Sequence, residues 1–278
     1  MKRLISIELQ KIWMNKASRI LTLTYFILLS FIALIASIKF NIGPFKFHLA
    51  EMGIFNFPYI WHFNTYVAGW LKLFLAIVIV SMMANEYSYG TLKQNLIDGL
   101  SKKEFILSKF LTVVLFALCS TIFVFVMSLL LGLSFSSYNE VDVIFMDLDY
   151  LLAFFAEMMG FFSFCLFLGI LVKRSAFALG FLLLWLIIES IIKGFLAFQV
   201  FPNSDTDKLF TRFLPLESIS NLIVEPGSRL SVVRSIGNQI GVENTKDYSV
   251  HYFSILIVLV WTFLFVYFSY KLLKKRDL

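Results

Sequence analysis

The chain has 278 residues, of which 59% are apolar and only 15% charged, with a formal net charge of +6 and a mean hydropathy of +0.84. A soluble domain carries roughly 25% charge, so this composition excludes a globular surface covered by water-compatible groups. An integral membrane protein is the class that remains, and the 33 Phe residues suit lipid-facing and helix-packing surfaces.

Residues 2–16 open the chain as a separate element. Leu4, Ile5, Leu9, Ile12 and Trp13 share one helical face, while Glu8, Lys11, Asn15 and Lys16 lie largely off it. This pattern predicts a helix lying in the inner interface, with Trp13 at headgroup depth. It does not read as a cleavable signal peptide: the basic stretch is too long and no small-residue cleavage site follows the first apolar run. A spanning helix needs about 20 mostly apolar residues, and six runs qualify, at 21–38, 66–84, 110–133, 150–172, 176–192 and 252–270. Helices are the expected form, because each backbone polar group in lipid must be satisfied within its own segment.

Three spans carry charge. Lys72 stands near the outer end of span two, where its side chain can snorkel. Glu157 lies about one third into span four, a costly place for a carboxylate that is neither paired nor protonated. It is read as a polar contact facing the helix bundle or as a hydrogen-bonded residue near the outer border. Glu189 and Lys193 are four apart and are expected to pair on one face of span five.

Orientation follows from the Lys/Arg distribution. The N-terminal segment, the loop after span two (Lys93, Lys102, Lys103, Lys109), the turn at Lys173 and Arg174 and the C-terminal tail hold fifteen basic residues. The first opposite loop holds Lys39 and Lys46, and the second is acidic, with Glu140, Asp142, Asp147 and Asp149. Both termini are therefore expected in the cytoplasm. The longest non-spanning stretch, 193–250, is expected outside. It contains a re-entrant or interfacial helix pair over 210–224, broken at Pro215, and a small polar helix over 229–240.

The expected fold is an all-α integral membrane protein of a single domain over 1–278. It comprises an interfacial helix (1–20), spans one to five (21–192), an outer segment (193–250), and span six with its basic tail (251–278). Cys119 and Cys165 sit in apolar runs and read as packed small hydrophobes. His48, His62 and His251 are scattered near membrane borders with no metal-ligand spacing. Ser163 and Ser190 have no histidine within any span, so no catalytic site is expected.

The strongest local signal is the loop over 85–105. Gly90 permits a bend, Thr91 can cap a short helix over 92–97, and Gly99 can close it in the left-handed conformation. Ser101 then caps a second helix, with Glu104 completing a capping box, and that helix runs into span three. The product is a short amphipathic helix held by two bends at the inner membrane surface, a form suited to receiving a mechanical push.

This stretch resembles the corresponding region of ABC type-2 exporter permeases, in Glu86 at the end of span two, Gly90-Thr91-Leu92 in the turn, and Ser101-Lys102-Lys103 at the re-entry into span three. The motif covers about 25 residues, and the general layout of the family covers most of the chain. The resemblance implies a transmembrane permease subunit of a bacterial cytoplasmic membrane, paired with a second copy or a paralogue. Cytoplasmic ABC ATPase subunits would supply ATP and Mg, since this chain carries no Gly-x-x-x-x-Gly-Lys-Ser/Thr loop and no cofactor, metal or nucleic acid of its own is expected. It further implies an ATPase-coupling surface made by Glu86, Tyr87, Gly90, Thr91, Leu92, Asn95, Asp98, Gly99, Ser101, Lys102 and Glu104. Charge reversal at Glu86 or Asp98 is expected to uncouple ATP hydrolysis from transport. The rival reading is an ATP-independent secondary transporter or channel, whose paired halves and midplane charges are not evident in the sequence.

Overall fold

A computed structural model describes residues 2–38, 40–42, 45–47, 53–138, 140–202, 206–229 and 246–276. Helix α1 (Lys2–Met14) ends at Asn15, whose side-chain oxygen accepts a hydrogen bond from the Ser18 N–H at 3.0 Å and so caps α2 (Lys16–Ser37). The first span therefore starts some five residues before the apolar run at 21–38, because the cap and not the hydropathy sets its beginning. A small antiparallel hairpin, β1 (Phe40–Ile42) and β2 (Phe45–Phe47), follows and departs from the all-helical expectation.

The second span is a bent pair, α3 (Tyr59–Trp70) and α4 (Lys72–Ser88), which meet at Leu71 with a 45° change of direction. The short α5 (Thr91–Ile97) leads to α6 (Lys102–Phe135), one unbroken helix of 34 residues that joins the inner loop to span three as the capping box predicts. Next come α7 (Val141–Ile144), α8 (Asp149–Val172) and α9 (Ser175–Phe195), the last continuing into a π turn at Leu196–Val200. Two short helices, α10 (Thr206–Thr211) and α11 (Pro215–Ser220), and a 3₁₀ turn at Gly227–Arg229 precede α12 (Tyr252–Lys275). Among the described residues five helices are long and apolar enough to cross a membrane, and a sixth crossing results if α3 and α4 count as one span. The chain is thus a multi-pass, predominantly α-helical membrane protein.

Helix α8 is the axis of the bundle. In its apolar window 72% of residues are buried, against 17% for α2 and α9, and it packs on α3, α4, α6, α9, α11 and α12. Where lipid is as apolar as leucine, helices associate through close packing, and small residues at the contact allow it. Ala153, Ala156, Gly160 and Ser163 are all buried along α8. A Cβ on Gly160 would lie 2.8 Å from Val258 of α12 and 3.1 Å from Ile219 of α11, so the glycine sets the distance between these elements.

The segment between α9 and α12 is tied down by a carboxylate. Glu189, buried on α9, accepts hydrogen bonds from the backbone N–H groups of Leu216 (3.0 Å) and Glu217 (2.8 Å) and from the Trp185 indole (2.5 Å). It caps α11 and does not pair with Lys193, which instead bonds Glu217. The expected i,i+4 pair gives way because two N–H groups freed by the break at Pro215 are stronger claimants on a buried carboxylate. Pro215 starts α11, as the sequence implies, although the helix pair occupies 206–211 and 215–220 instead of 210–224. The polar helix expected over 229–240 lies almost wholly outside the described residues.

His62, expected near a membrane border, is fully buried and stacks on Tyr150 at 4.3 Å. Its Nε2 lies 2.6 Å from the Val224 carbonyl and its Nδ1 3.0 Å from the Arg229 guanidinium. That pattern assigns the neutral tautomer with the proton on Nε2.

Gly160→Leu is expected to force α8 and α12 apart at a cost of about 1–3 kcal/mol, read as a fall in the thermal midpoint of the detergent-solubilised protein. Gly180→Leu serves as the control, since nothing lies within 4 Å of a Cβ there, and its midpoint should not move.

Candidate functional site

The end of the bundle that carries α1 and α5 is organised by charges. Lys109 stands two turns inside α6 with no exposed surface, and its ammonium donates to Glu86 Oε1 at 2.5 Å and to Glu8 Oε2 at 2.5 Å. Lys11 of α1 donates to the same Glu86 oxygen at 2.8 Å and lies 3.5 Å from Glu8. The other oxygen of Glu86 accepts from the Thr91 hydroxyl at 2.5 Å. Two ammonium groups and two carboxylates make the cluster neutral, and it joins α1, α4, α5 and α6. Burying four charges carries a desolvation penalty of several kcal/mol per ion, which only a closed and well-bonded network offsets. Burial alone would lower the pKa of Lys11, but the Glu86 and Glu8 carboxylates outweigh it and hold the ammonium above its ordinary value. Lys11 therefore stays charged throughout the physiological range.

Helix α1 turns Glu8, Lys11 and Ile12 toward the bundle and leaves Leu9 and Trp13 exposed, open to a lipid interface. Two expectations are corrected. Lys109 is a buried partner and not a loop cation at the membrane surface. Thr91 is the first residue of α5 and not its cap; its hydroxyl is drawn to Glu86, and Gly90, at φ +68°, occupies the cap position with no side-chain bond.

Helix α5 ends as predicted. Gly99 has φ +96°, its N–H donates to the Leu96 carbonyl at 3.2 Å, and the Leu100 N–H donates to Asn95 at 3.0 Å, the paired bonds of a Schellman ending. Ser101 caps α6 by accepting from the Glu104 N–H at 3.2 Å, and the Glu104 carboxylate accepts from the Ser101 N–H at 3.0 Å. Helix α5 is therefore held at its start by Glu86 through Thr91 and at its end by the box that begins α6.

The residues assigned to a coupling surface divide accordingly. Glu86 and Leu92 are buried, and Tyr87, Thr91, Asn95 and Lys102 are half-buried. Gly90, Asp98, Gly99, Ser101 and Glu104 are exposed, beside Lys93, Gln94 and Ile97, the last 69% exposed. Glu86 cannot meet a partner directly, because three side chains of this chain already occupy it.

A second tie closes the other side of this end. Arg276 donates to the carbonyls of Ile170 (2.5 Å) and Leu171 (2.9 Å) in the last turn of α8, where helical carbonyls lack partners, and to the Tyr87 hydroxyl at 3.0 Å. Lys102 donates to the Arg276 carbonyl at 2.9 Å.

Deeper in the bundle, Glu157 is ion-paired with Lys72 at 2.6 Å, which resolves its cost in lipid. Lys72 does not snorkel. At ~1.5 Å per residue, Lys72 lies about 24 Å along α4 from Ser88 and Glu157 about 22 Å along α8 from Val172, so the pair meets at one depth. Among the described residues no group of three His, Cys, Asp or Glu side chains could hold a metal ion.

Glu8, Lys11, Lys109 and Arg276 were not legible as site residues, although Lys109 gave a signal. It lies seven residues beyond the helix start at Lys102, directly before the apolar run of span three, where a lysine that joins a helix needs a partner.

The fold and these buried charges define a multi-pass helical membrane protein in which the loop between α4 and α6 is braced by an ion network that also holds α1. The chain belongs to the DUF2705 family, described as a protein family of unknown function, whose profile matches residues 25–278. It is also similar to YhcI of Bacillus subtilis (strain 168), described as an uncharacterized protein, at 41% identity over 63 residues. That match spans 23% of this chain and 20% of the relative.

Lys109→Met leaves Glu8 and Glu86 short of their shared cation and is expected to cost about 3–5 kcal/mol, seen as a lower thermal midpoint and faster tryptic cleavage within α1. Combining it with Glu86→Gln removes one charge of each sign, and the midpoint should recover part of the loss. A double variant no better than the single one would contradict the network.

Proposed function

We propose that this chain is the transmembrane permease subunit of an ATP-binding-cassette exporter, working with a separate ATPase and a second permease copy or paralogue. In this reading α3 and α4 form one broken span, the protein crosses the cytoplasmic membrane six times, and both termini are cytoplasmic. The observation that carries it is α5: a short surface helix with an exposed face at Lys93, Gln94, Ile97 and Asp98, tied at its start to α4 and at its end to α6. A helix so held passes a displacement to two spans at once, which a loop free at either end could not do. The inner excess of Lys and Arg supports the orientation, although Lys109 no longer counts toward it.

The coupling contact is narrowed to the exposed residues. Glu86 serves as the brace behind them, so its reversal would break the inner network before it altered any partner contact. The Lys72–Glu157 pair is the one observation that favours the rival, a secondary transporter or channel, because charges at that depth often mark an ion path. Here the two neutralise each other, and the exporter reading stands as the better supported.

Purification from native membranes is expected to recover a subunit that carries a nucleotide-binding loop and hydrolyses ATP. Ile97→Asp should lower its recovery by about tenfold, the loss of a modest interface hot spot, with an unchanged thermal midpoint. A membrane-impermeant thiol reagent should label Asp98→Cys only after cells are opened. Recovery of the chain without an ATPase, or labelling of Asp98→Cys in intact cells, would end the proposal.

A further inference from the structure

Beside the Lys72–Glu157 pair lies a cavity of about 340 Å³, walled by Tyr66, Trp70 and Leu73 on α3 and α4, by Phe161 on α8, by Leu186 on α9 and by Ile219 on α11. This is within the range of small-ligand sites. Its rim is apolar and faces outward, with Trp70 70% and Leu73 46% exposed at membrane depth, so it opens sideways onto lipid. The charges at its floor are only partly used. Lys72 gives one hydrogen bond, to Glu157 Oε1, and rests 4.9 Å over the Phe161 ring. Among the described residues its other two donors and Glu157 Oε2 have no hydrogen-bond partner, and Glu157 and Lys72 both line the cavity.

We infer that this cavity is a lateral headgroup site for a zwitterionic membrane lipid of the phosphatidylethanolamine kind, whose phosphate meets Lys72 and whose ammonium meets Glu157. The argument is one of charge balance. The pair is neutral as it stands, so a purely anionic or purely cationic ligand would leave an uncompensated charge in a low-dielectric site, at a cost of several kcal/mol. A zwitterion satisfies both unspent partners and keeps the site neutral. Charge-assisted hydrogen bonds of this kind are stronger than neutral ones, while the acyl chains lie against the apolar rim. The site binds whether or not this chain moves anything, and so is independent of the exporter reading.

The test uses the full chain in detergent, without any ATPase, titrated with phosphatidylethanolamine, phosphatidylglycerol, diacylglycerol and free phosphoethanolamine, with binding followed by native mass spectrometry and thermal shift. Phosphatidylethanolamine should bind about tenfold tighter than the other two lipids, and free phosphoethanolamine should bind far more weakly. The double variant K72M/E157Q, which removes both charges, should bring the three lipids within about twofold of one another. Leu73→Trp, which crowds the opening without touching the pair, should weaken phosphatidylethanolamine by about tenfold at an unchanged midpoint. Equal binding of phosphatidylglycerol or diacylglycerol to the wild type would overturn the site, as would a preference that survives in K72M/E157Q, or phosphatidylethanolamine binding unchanged in Leu73→Trp. Free phosphoethanolamine binding as tightly as the lipid would overturn its sideways route.

Discussion

A lysine with no exposed surface, two turns inside a membrane-bound helix, is the constraint on which the inner half of this protein depends. Lys109 is tolerated there because Glu8 and Glu86 both reach it, and Lys11 and Thr91 complete the bonding of Glu86. Each member is costly alone and tolerable in the set. Four elements of the chain must therefore be in place together: α1 to bring Glu8 and Lys11, α4 to bring Glu86, α5 to bring Thr91, and α6 to bring Lys109. The network supplies a directional reason for the first helix to lie against the third span, which apolar contact in a lipid setting does not.

The same logic recurs at the other ties. Glu189 caps a helix broken at Pro215, Arg276 caps the end of α8, and Lys72 answers Glu157. In each case a polar group that lipid would leave unsatisfied finds a partner on a distant element, with separations in sequence from 27 to 106 residues. Apolar packing around α8 fills the space, while these few bonds fix which element sits where. Helix α9, with only Ala178, Leu182 and Glu189 buried, touches the bundle along a narrow stripe, so the Glu189 contact weighs heavily in placing the outer segment on it.

How much of this could be read from the residues follows from the range of the interactions. The spans were legible because twenty apolar residues in a row have one physical meaning, and the Ser101–Glu104 box and the Gly99 ending were legible because they close within four residues. The central place of α8 was not, because every span is apolar all round and hydropathy cannot say which one is enclosed. Its signature lay in the small residues Ala153, Ala156, Gly160 and Ser163. The polar contacts of α1 were not legible for a related reason: the rule that charges face out assumes water outside, whereas here Glu8 had its partner 101 residues away in Lys109 and Lys11 one 75 residues away in Glu86. Long-range charge pairing leaves no local pattern to find.

Helix α4 is the element that carries both of these features. It supplies Glu86 to the inner network at one end and Lys72 to the deep pair at the other, next to the 45° bend at Leu71. Between them it is a regular helix, packed on α2, α8 and α9, and so it moves as a rod. A displacement of α5 would reach Glu86 through Thr91 and travel along α4 to the bend, where the chain is already free of regular helical bonding. There it would alter the Lys72–Glu157 distance and with it the charge offered to the cavity. Coupling of this sort needs an element with two discrete arrangements, and the bend at Leu71 is the natural hinge for one. The ion network and the deep pair are thus carried on one helix, Glu86 near one end and Lys72 at the other.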